Sequence, residues 1–492
     1  RKMGLRWPYM SVSSMLYGRS VDFERVLPVG WHAHEEGVAA LLESFQRVPD
    51  AQRVRLAKKT SNLFRSRSAG GAGLDVEGLR GVIAVDPVTK TADVQGMCTY
   101  EDLVDATLPY GLAPLVVPQL KTITLGGAVS GMGVESTSFR NGLPHESVLE
   151  MDVLVGTGDI VTCSRDENVA LFRAFPNSYG SLGYAVRLTI ELEEVEPFIE
   201  LQHVRYNDLT AFQDALGDAA ATGQWAGRAL HGLDAVAFSP TEQYLVCAFQ
   251  VDQAPGTSDY TRDAVYYRSL QHPSGVHHDF LTVRDYIWRW DTDWFWCSRA
   301  FGAQHPRVRK LWPRELRRSA FYWKLVGLDK KYDLEYRFLK KPKGLPRTER
   351  VVQDIEVRDT QVAEFLDWFF KASDIEPVWL CPIRLRDGVD TLAGVGLDDQ
   401  APWPLYPLEP GTTWVNVGFW SGVPEVEPGA FNKVIERKVS ALGGHKSLYS
   451  EAFYDRAEFE RLYGGDLPER MKAQYDPDRR FPGLYEKTVE NA

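Results

Sequence analysis

The sequence predicts an α+β fold divided into at least two domains, and three observations carry that expectation. At 492 residues the chain exceeds what one ordinary hydrophobic core organises. Up to about Pro197, short β-rich pieces alternate with Gly and Pro turns. From Phe198 to about Ala430 helical and strand-like patterns alternate without repeats, and residues 431–492 form a closing segment.

In chain order, Gly81-Val-Ile-Ala-Val-Asp86 and Thr91-Ala-Asp-Val-Gln95 read as a strand pair. Tyr100-Glu-Asp-Leu-Val-Asp-Ala-Thr-Leu108 has helical spacing. The apolar run Gly111-Leu-Ala-Pro-Leu-Val-Val-Pro118 follows. Farther on, Val148-Leu-Glu-Met-Asp-Val-Leu-Val155 and Ile160-Val-Thr-Cys163 flank a Gly-Thr-Gly-Asp turn, which is a hairpin signal. Tyr179-Gly-Ser-Leu-Gly-Tyr184 then leads into Val186-Arg-Leu-Thr-Ile-Glu-Leu192, which alternates as a strand does.

Between these elements lies Thr124-Leu-Gly-Gly-Ala-Val-Ser-Gly-Met-Gly-Val-Glu-Ser136. Gly126, Gly127, Gly131 and Gly133 sit beside small hydroxyl residues. Glycine lets a backbone approach a ligand closely, and bared amides then cradle a diphosphate. The spacing is not Gly-x-Gly-x-x-Gly, so a Rossmann fingerprint is not the natural reading. A glycine-rich surface loop is the plainer use of such a run, and the ordered flanking features argue against it.

This order of features resembles the FAD-binding domain of the vanillyl-alcohol-oxidase superfamily. Gly133-Val-Glu-Ser-Thr-Ser138, Val351-Val-Gln-Asp354, Pro377-Val-Trp-Leu-Cys-Pro382, Leu448-Tyr449 and Phe481-Pro-Gly-Leu-Tyr-Glu-Lys487 look like its delta24-sterol reductase branch. Bacterial relatives of that branch include flavoproteins that reduce a methylene fatty acyl chain to its 10-methyl form, in tuberculostearic acid synthesis. The resemblance implies a two-subdomain PCMH-type FAD domain over residues 1–197. It implies an α/β cap over the isoalloxazine in residues 198–430, and a segment 431–492 that returns to the flavin.

By that resemblance the cofactor-binding residues are Thr124, Leu125, Gly126, Gly127, Gly131, Met132, Gly133, Glu135 and Ser136, joined by Gly183 and Tyr184. Lys58, Lys59, Thr60, Ser61 and Asn62 occupy the place of the first pyrophosphate loop, where most relatives are glycine-rich. Cations and hydroxyls serve a diphosphate there, although a basic surface turn has the same composition. The loop lacks the histidine that tethers flavin in some relatives, so FAD is expected to be non-covalent. Gln474 stands where some relatives carry a lysine that approaches the flavin pyrimidine. NADPH is the implied electron donor, docking transiently against the cap.

The chemistry implied is reduction of a carbon–carbon double bond. An isolated alkene accepts hydride poorly. A proton delivered to its less substituted carbon develops a tertiary cation, which then takes hydride. Aromatic faces stabilise such a cation, and a dry pocket excludes water. The acid must stay protonated near neutrality, and Asp354, Glu356, His445, Tyr449 and Asp285 are the candidates. Arg384 and Asn416 are candidates for orienting substrate or flavin. A methylene-branched fatty acyl chain, carried on a phospholipid, is the preferred substrate, with a sterol side-chain alkene beside it. The alternatives are a sugar or alcohol oxidase of the same superfamily and a non-catalytic lipid-binding flavoprotein.

Composition bounds the partners. Hydrophobic content of 44% and charged content of 25% are those of a soluble globular protein. No apolar run spans a bilayer, and Arg1-Lys-Met-Gly-Leu-Arg-Trp-Pro8 lacks the apolar centre of a signal peptide. Five scattered cysteines favour neither a disulfide framework nor a metal site and point to a reducing cytoplasm. A net charge of −11 argues against nucleic-acid binding. Residues 305–350 nevertheless hold fifteen Lys or Arg against five Asp or Glu. The rings of Tyr286-Ile-Trp-Arg-Trp290 and Trp294-Phe-Trp296 precede them. Basic and aromatic residues together, over about 286–350, predict a peripheral membrane contact that uses Trp288, Trp294, Arg314, Arg317 and Arg318. The competing reading is a solvated basic face over an aromatic cap core. The oligomeric state is left open.

Overall fold

The computed structural model describes residues 26–58, 62–65, 70–386 and 401–490. Two antiparallel sheets dominate an α+β architecture. The smaller sheet runs in the order Val82–Asp86, Thr91–Gln95, Tyr184–Glu194, Val148–Leu154, Ile160–Ser164, and Leu112–Pro114 pairs with the far end of its central strand. That central strand, Tyr184–Glu194, alternates apolar and polar residues, so one face is buried against the helix Tyr100–Thr107 and its neighbours. The 148–164 hairpin pairs Leu154 with Ile160 across the Gly156–Asp159 turn. A small parallel pair, Val54–Leu56 with Ala72–Leu74, packs with the helix Gly30–Gln46 at the N-terminal side.

The larger sheet has eight strands. Its order is Val276–Thr282, Phe198–Tyr206, Glu242–Val251, Gly232–Ser239, Val378–Ile383, Trp414–Pro424, Thr348–Arg358, His445–Lys446. The last short strand comes from beyond residue 430, so the closing segment first completes this sheet and then turns back toward the smaller one.

Side-chain alternation gives the larger sheet two different faces. Val351, Ile355 and Val357, with Val415, Val417 and Phe419, pack on the helices Leu209–Thr222, Val362–Ala372 and Ala430–Ala441. The intervening residues of the same strands, Asp354, Glu356, Asn416, Gly418 and Trp420, point to the opposite face. A one-residue slip of register would exchange these sets. The helices therefore fix which polar groups turn toward the space between the sheets.

The tryptophan-rich segment is interior. Trp288, Trp290, Trp294 and Trp296 are all buried. Trp290 stacks on Phe295 at 4.8 Å, and Trp379 and Trp420 close the cluster. Rings committed to this packing are unavailable for insertion into a bilayer, so the aromatic part of the expected membrane contact falls to the cap core. Among the described residues no helix is long and apolar enough to cross a membrane.

Candidate functional site

A cavity of about 1050 Å³ lies between the two sheets, at the top of the range of about 300–1,000 Å³ usual for small-molecule sites. Its walls are of two kinds. One is backbone supplied by the glycine-rich stretch, and the other is side chains supplied by the larger sheet.

The glycine stretch forms a short helix, Leu125–Gly131, whose N-cap Thr124 accepts from the Gly127 amide at 3.2 Å. Its first amides are already used: Leu125 donates to the Cys98 carbonyl and Gly126 to that of Gly96, both at 2.9 Å. A Cβ on Gly126 would sit 2.7 Å from the Gly96 oxygen, and one on Gly133 2.7 Å from the Pro118 ring. Gly126 therefore lets backbone pack on backbone at the cavity edge, and Gly133 lets the chain pack against two proline rings. The bare amides lie one step later. Met132, held at φ 70°, opens the turn, and the amides of Met132, Gly133 and Val134 have no hydrogen-bond partner among the described residues. All three residues line the cavity.

Thr124, Gly126, Gly127, Gly131 and Tyr184 line the same space, as do Lys58 and Asn62. Lys59, Thr60 and Ser61 fall outside the described residues. Leu125 is core. Gly183 supports the wall from behind, where a Cβ would collide with the Leu154 carbonyl. Glu135 and Ser136 turn away from the cavity. Glu135 meets Arg289 at 3.1 Å, Arg289 meets Asp234 at 3.0 Å, and Ser136 bonds Glu135 and the Tyr286 hydroxyl, each at 2.6 Å. This fully buried cluster ties the glycine wall to the larger sheet.

The C-terminal segment contributes a lysine that the sequence did not single out. Lys487 lines the cavity and donates to the carbonyls of Tyr179 and Gly180 at 3.1 and 2.7 Å. Burial, with Arg65 and Lys58 nearby, holds its pKa well below the usual lysine value. Arg65 lies 5.5 Å over the Tyr179 ring and donates to the Lys487 carbonyl. The Phe481–Lys487 pattern was the available signal, but nothing in it marks the lysine as facing inward.

On the opposite wall, Asp354 is half-buried at the cavity surface. It accepts from Asn416 Nδ2 at 3.0 Å and is hydrogen-bonded to Tyr449. Burial raises its carboxyl to about 6 despite both hydrogen bonds. Asp354 has room because Gly418 stands opposite it across the strand pair, where a Cβ would collide with Asp354 Oδ1. The Tyr449 hydroxyl accepts from Trp420 Nε1 at 2.8 Å. Burial raises Tyr449 well above the ordinary phenol value, so it is neutral. Glu356 lies two residues along on the same face but behind the wall, 3.4 Å from Ser447 Oγ. Burial and then the neighbouring Asp354 charge push its carboxyl well up. Around this group stand Phe64, Trp294, Phe295, Trp323, Trp379 and Trp420. Phe64 packs on Trp294 at 5.6 Å and on Trp323 at 4.8 Å.

The remaining candidates lie elsewhere. His445 packs between Tyr406 and Trp414 at about 5.5 Å from each, and burial with Arg358 nearby lowers it to about 4. A neutral histidine outside the cavity is no proton donor to it. Thr282 caps the helix Val283–Ile287 by accepting from the Asp285 amide at 3.1 Å, and it donates to the Asp285 carboxylate at 2.7 Å. Arg384 donates to the Ala221 carbonyl at 2.9 Å. Trp288 lies under Lys121. The three arginines expected at a membrane are engaged internally. Arg314 pairs with Asp259 at 2.8 Å and Arg318 with Glu101 at 2.6 Å. Arg317 is buried against main-chain carbonyls, at 2.7 Å from that of Thr261.

An FAD molecule suits these walls. The cavity has the volume, the free amides of 132–134 and the lysines Lys58 and Lys487 suit a diphosphate, and a ring system has aromatic faces to lie against. Known proteins agree. Residues 33–164 match a family described as an FAD binding domain. The chain is 24% identical over 438 residues to the human Delta(24)-sterol reductase, covering 85% of this chain and 76% of that protein. It is 22% identical over 455 residues to the Arabidopsis thaliana Delta(24)-sterol reductase, covering 84% of this chain and 76% of that protein. Cytokinin dehydrogenase 7 of Oryza sativa subsp. japonica is 35% identical over 152 residues, which span 30% of this chain and 29% of that protein. Residues 33–164 thus match an FAD-binding domain, and most of the chain is similar to delta24-sterol reductases.

Proposed function

We propose that the protein is an FAD-dependent reductase of an unactivated carbon–carbon double bond in a lipid, with NADPH as reductant. The preferred substrate is a methylene-branched fatty acyl chain, giving the 10-methyl chain, with a sterol side-chain delta24 alkene as the second substrate class. The observation that carries this reading is Asp354: a carboxyl raised to about 6, on the wall of a large aromatic cavity.

The residues divide the work. Lys58, Lys487 and the amides of 132–134 would hold the diphosphate of non-covalent FAD, which, when bound and reduced, would supply the hydride. Asp354 gives its proton to the less substituted alkene carbon, and the tertiary carbon takes the hydride, so the alkene gains one proton and one hydride in all. Asn416 fixes the carboxyl rotamer. Tyr449, itself held by Trp420, moderates the rise in pKa that burial causes. Glu356, neutral behind the wall, keeps the neighbourhood uncharged until Asp354 ionises, and the two titrate as a pair. The rings of Trp294, Trp323 and Trp420 face developing positive charge with their negative π surfaces and keep water out.

Anaerobic titration tests the proposal. NADPH should bleach the bound flavin, and a methylene acyl lipid should restore its colour while a polyol does not. Restoration by a polyol-derived carbonyl alone would support an alcohol oxidase instead. Bleaching with no restoring lipid at all would leave a lipid-binding flavoprotein.

A further inference from the structure

One stretch of the chain, residues 308–345, combines exposed apolar side chains with a dense basic charge. Of sixteen large hydrophobic residues exposed among the described residues, seven fall between Val308 and Leu345, led by Leu311 at 86% exposed and Phe338 at 72%. The same stretch lies within the 305–350 region, whose fifteen Lys or Arg stand against five Asp or Glu. Part of that charge is neutralised internally: Arg309 by Asp293, Arg314 by Asp259, Arg318 by Glu101, Arg347 by Asp333 and Arg350 by Asp329. Arg307, Lys310, Lys324, Arg337, Lys341 and Lys343 are exposed and make no ion pair among the described residues. The rest of the protein carries net negative charge.

We infer that the 308–345 face docks on an anionic phospholipid bilayer, with Leu311, Leu328, Phe338 and Leu345 entering the interface and the free lysines and arginines meeting the headgroups. Solvated lysines alone bind any polyanion; exposed aliphatic and aromatic side chains among them gain further by leaving water for the acyl boundary. The helix Ser319–Tyr332 links this face to the cavity. Trp323 stands on the cavity wall, while Leu328 and Tyr332, farther along the same helix, are exposed. A lipid leaving the bilayer along this helix reaches the aromatic rim directly. The inference about docking deepens the lipid-substrate reading given above and rests on it for its purpose, although its test does not.

The experiment is flotation of the FAD-loaded protein with vesicles of phosphatidylcholine alone and of phosphatidylcholine mixed with phosphatidylglycerol. The protein should float with the mixed vesicles and remain behind with the neutral ones. Each free lysine near an anionic surface is worth about fivefold in partition, so Lys341→Glu with Lys343→Glu should lower partition at least about twentyfold. Leu311→Asp with Phe338→Asp should lower it by at least about tenfold. Val426→Asp, which changes an equally exposed residue elsewhere (88%), should float as the parent does. Retained flavin colour in each variant reports an intact fold. If the Leu311 and Phe338 variant floats undiminished while the lysine variant does not, the face is a polyanion site and the bilayer assignment is overturned. Equal flotation of all variants overturns it as well. Vesicle binding without alkene reduction would sink the substrate reading alone, and reduction of detergent-dispersed lipid without flotation would sink the docking alone.

Discussion

The two walls of the cavity are built on opposite principles. The glycine wall works by what it lacks: with no Cβ at Gly126 or Gly133, the chain packs closely on the Gly96 backbone and on two proline rings, and the amides of 132–134 stay open. The sheet wall works by what it adds: a carboxyl, an amide and an indole brought together by pairing Thr348–Arg358 with Trp414–Pro424, and the Tyr449 phenol from just beyond the strand His445–Lys446. The first suits a fixed, polyanionic group that must be gripped. The second suits a variable, apolar group that must be protonated. The contrast teaches that binding and chemistry in this protein depend on different residues and should fail separately.

The largest expected effect is on the chemical step. Asp354→Asn removes the proposed proton donor and should slow flavin reoxidation by the alkene lipid by about 10²–10⁴-fold in stopped-flow single turnovers. FAD affinity and bleaching by NADPH should change little. Equal loss of FAD affinity would erase the division between the walls.

Gly126→Ala breaks the other wall. Its methyl meets the Gly96 carbonyl, with no flexible side chain to yield. Urea unfolding should show a loss of about 1–3 kcal/mol, and FAD should dissociate more readily in fluorescence titrations. The chemical step of the molecules that retain FAD should be near normal.

The acidity of Asp354 gives signed effects of intermediate size. Its folded carboxyl, at about 6, lies above its ordinary value near 3.8. The folded state therefore binds the proton more tightly than the unfolded state, and ionisation costs stability as pH rises from about 4 to above 6. Asp354→Asn should consequently stabilise the protein at pH 8 by on the order of 1 kcal/mol, allowing for the partial exposure. The gain should vanish below pH 4. The alkene step should decline as pH rises through about 6, in step with loss of the acid form.

The smallest effect is the most specific. The Tyr449 hydrogen bond favours the Asp354 carboxylate. Tyr449→Phe should move the descending limb of the pH profile to higher pH, with about a tenfold or smaller loss of maximal rate. A shift to lower pH would contradict the assigned hydrogen bond.

Much of the backbone wall was legible in the sequence because its signals are local. Thr124 followed by closely spaced glycines, the 148–164 hairpin and the helix over 100–107 each lie within a few turns of chain. The sheet wall was less legible because it is assembled across strands. Asp354 and Glu356 share a face by alternation, yet only register shows that Asp354 reaches the cavity while Glu356 stays behind it. Gly418 was invisible as the partner that makes room. Lys487 faces inward because of its contacts with Tyr179 and Gly180, some three hundred residues away in sequence. Tryptophans 288–296 have the composition of a membrane belt and the position of a core. Composition cannot distinguish these, since both uses want a large apolar ring with one polar edge.

The most direct test of the account is the destination of solvent deuterium. The FAD-loaded protein is reduced with NADPH in D₂O and given a methylene-branched acyl lipid, and the product is analysed by mass spectrometry. The account predicts deuterium on the new methyl group, delivered through Asp354, and hydride from the flavin on the branching carbon. Deuterium confined to the branching carbon, or no reduced product from a protein that holds flavin, would contradict it.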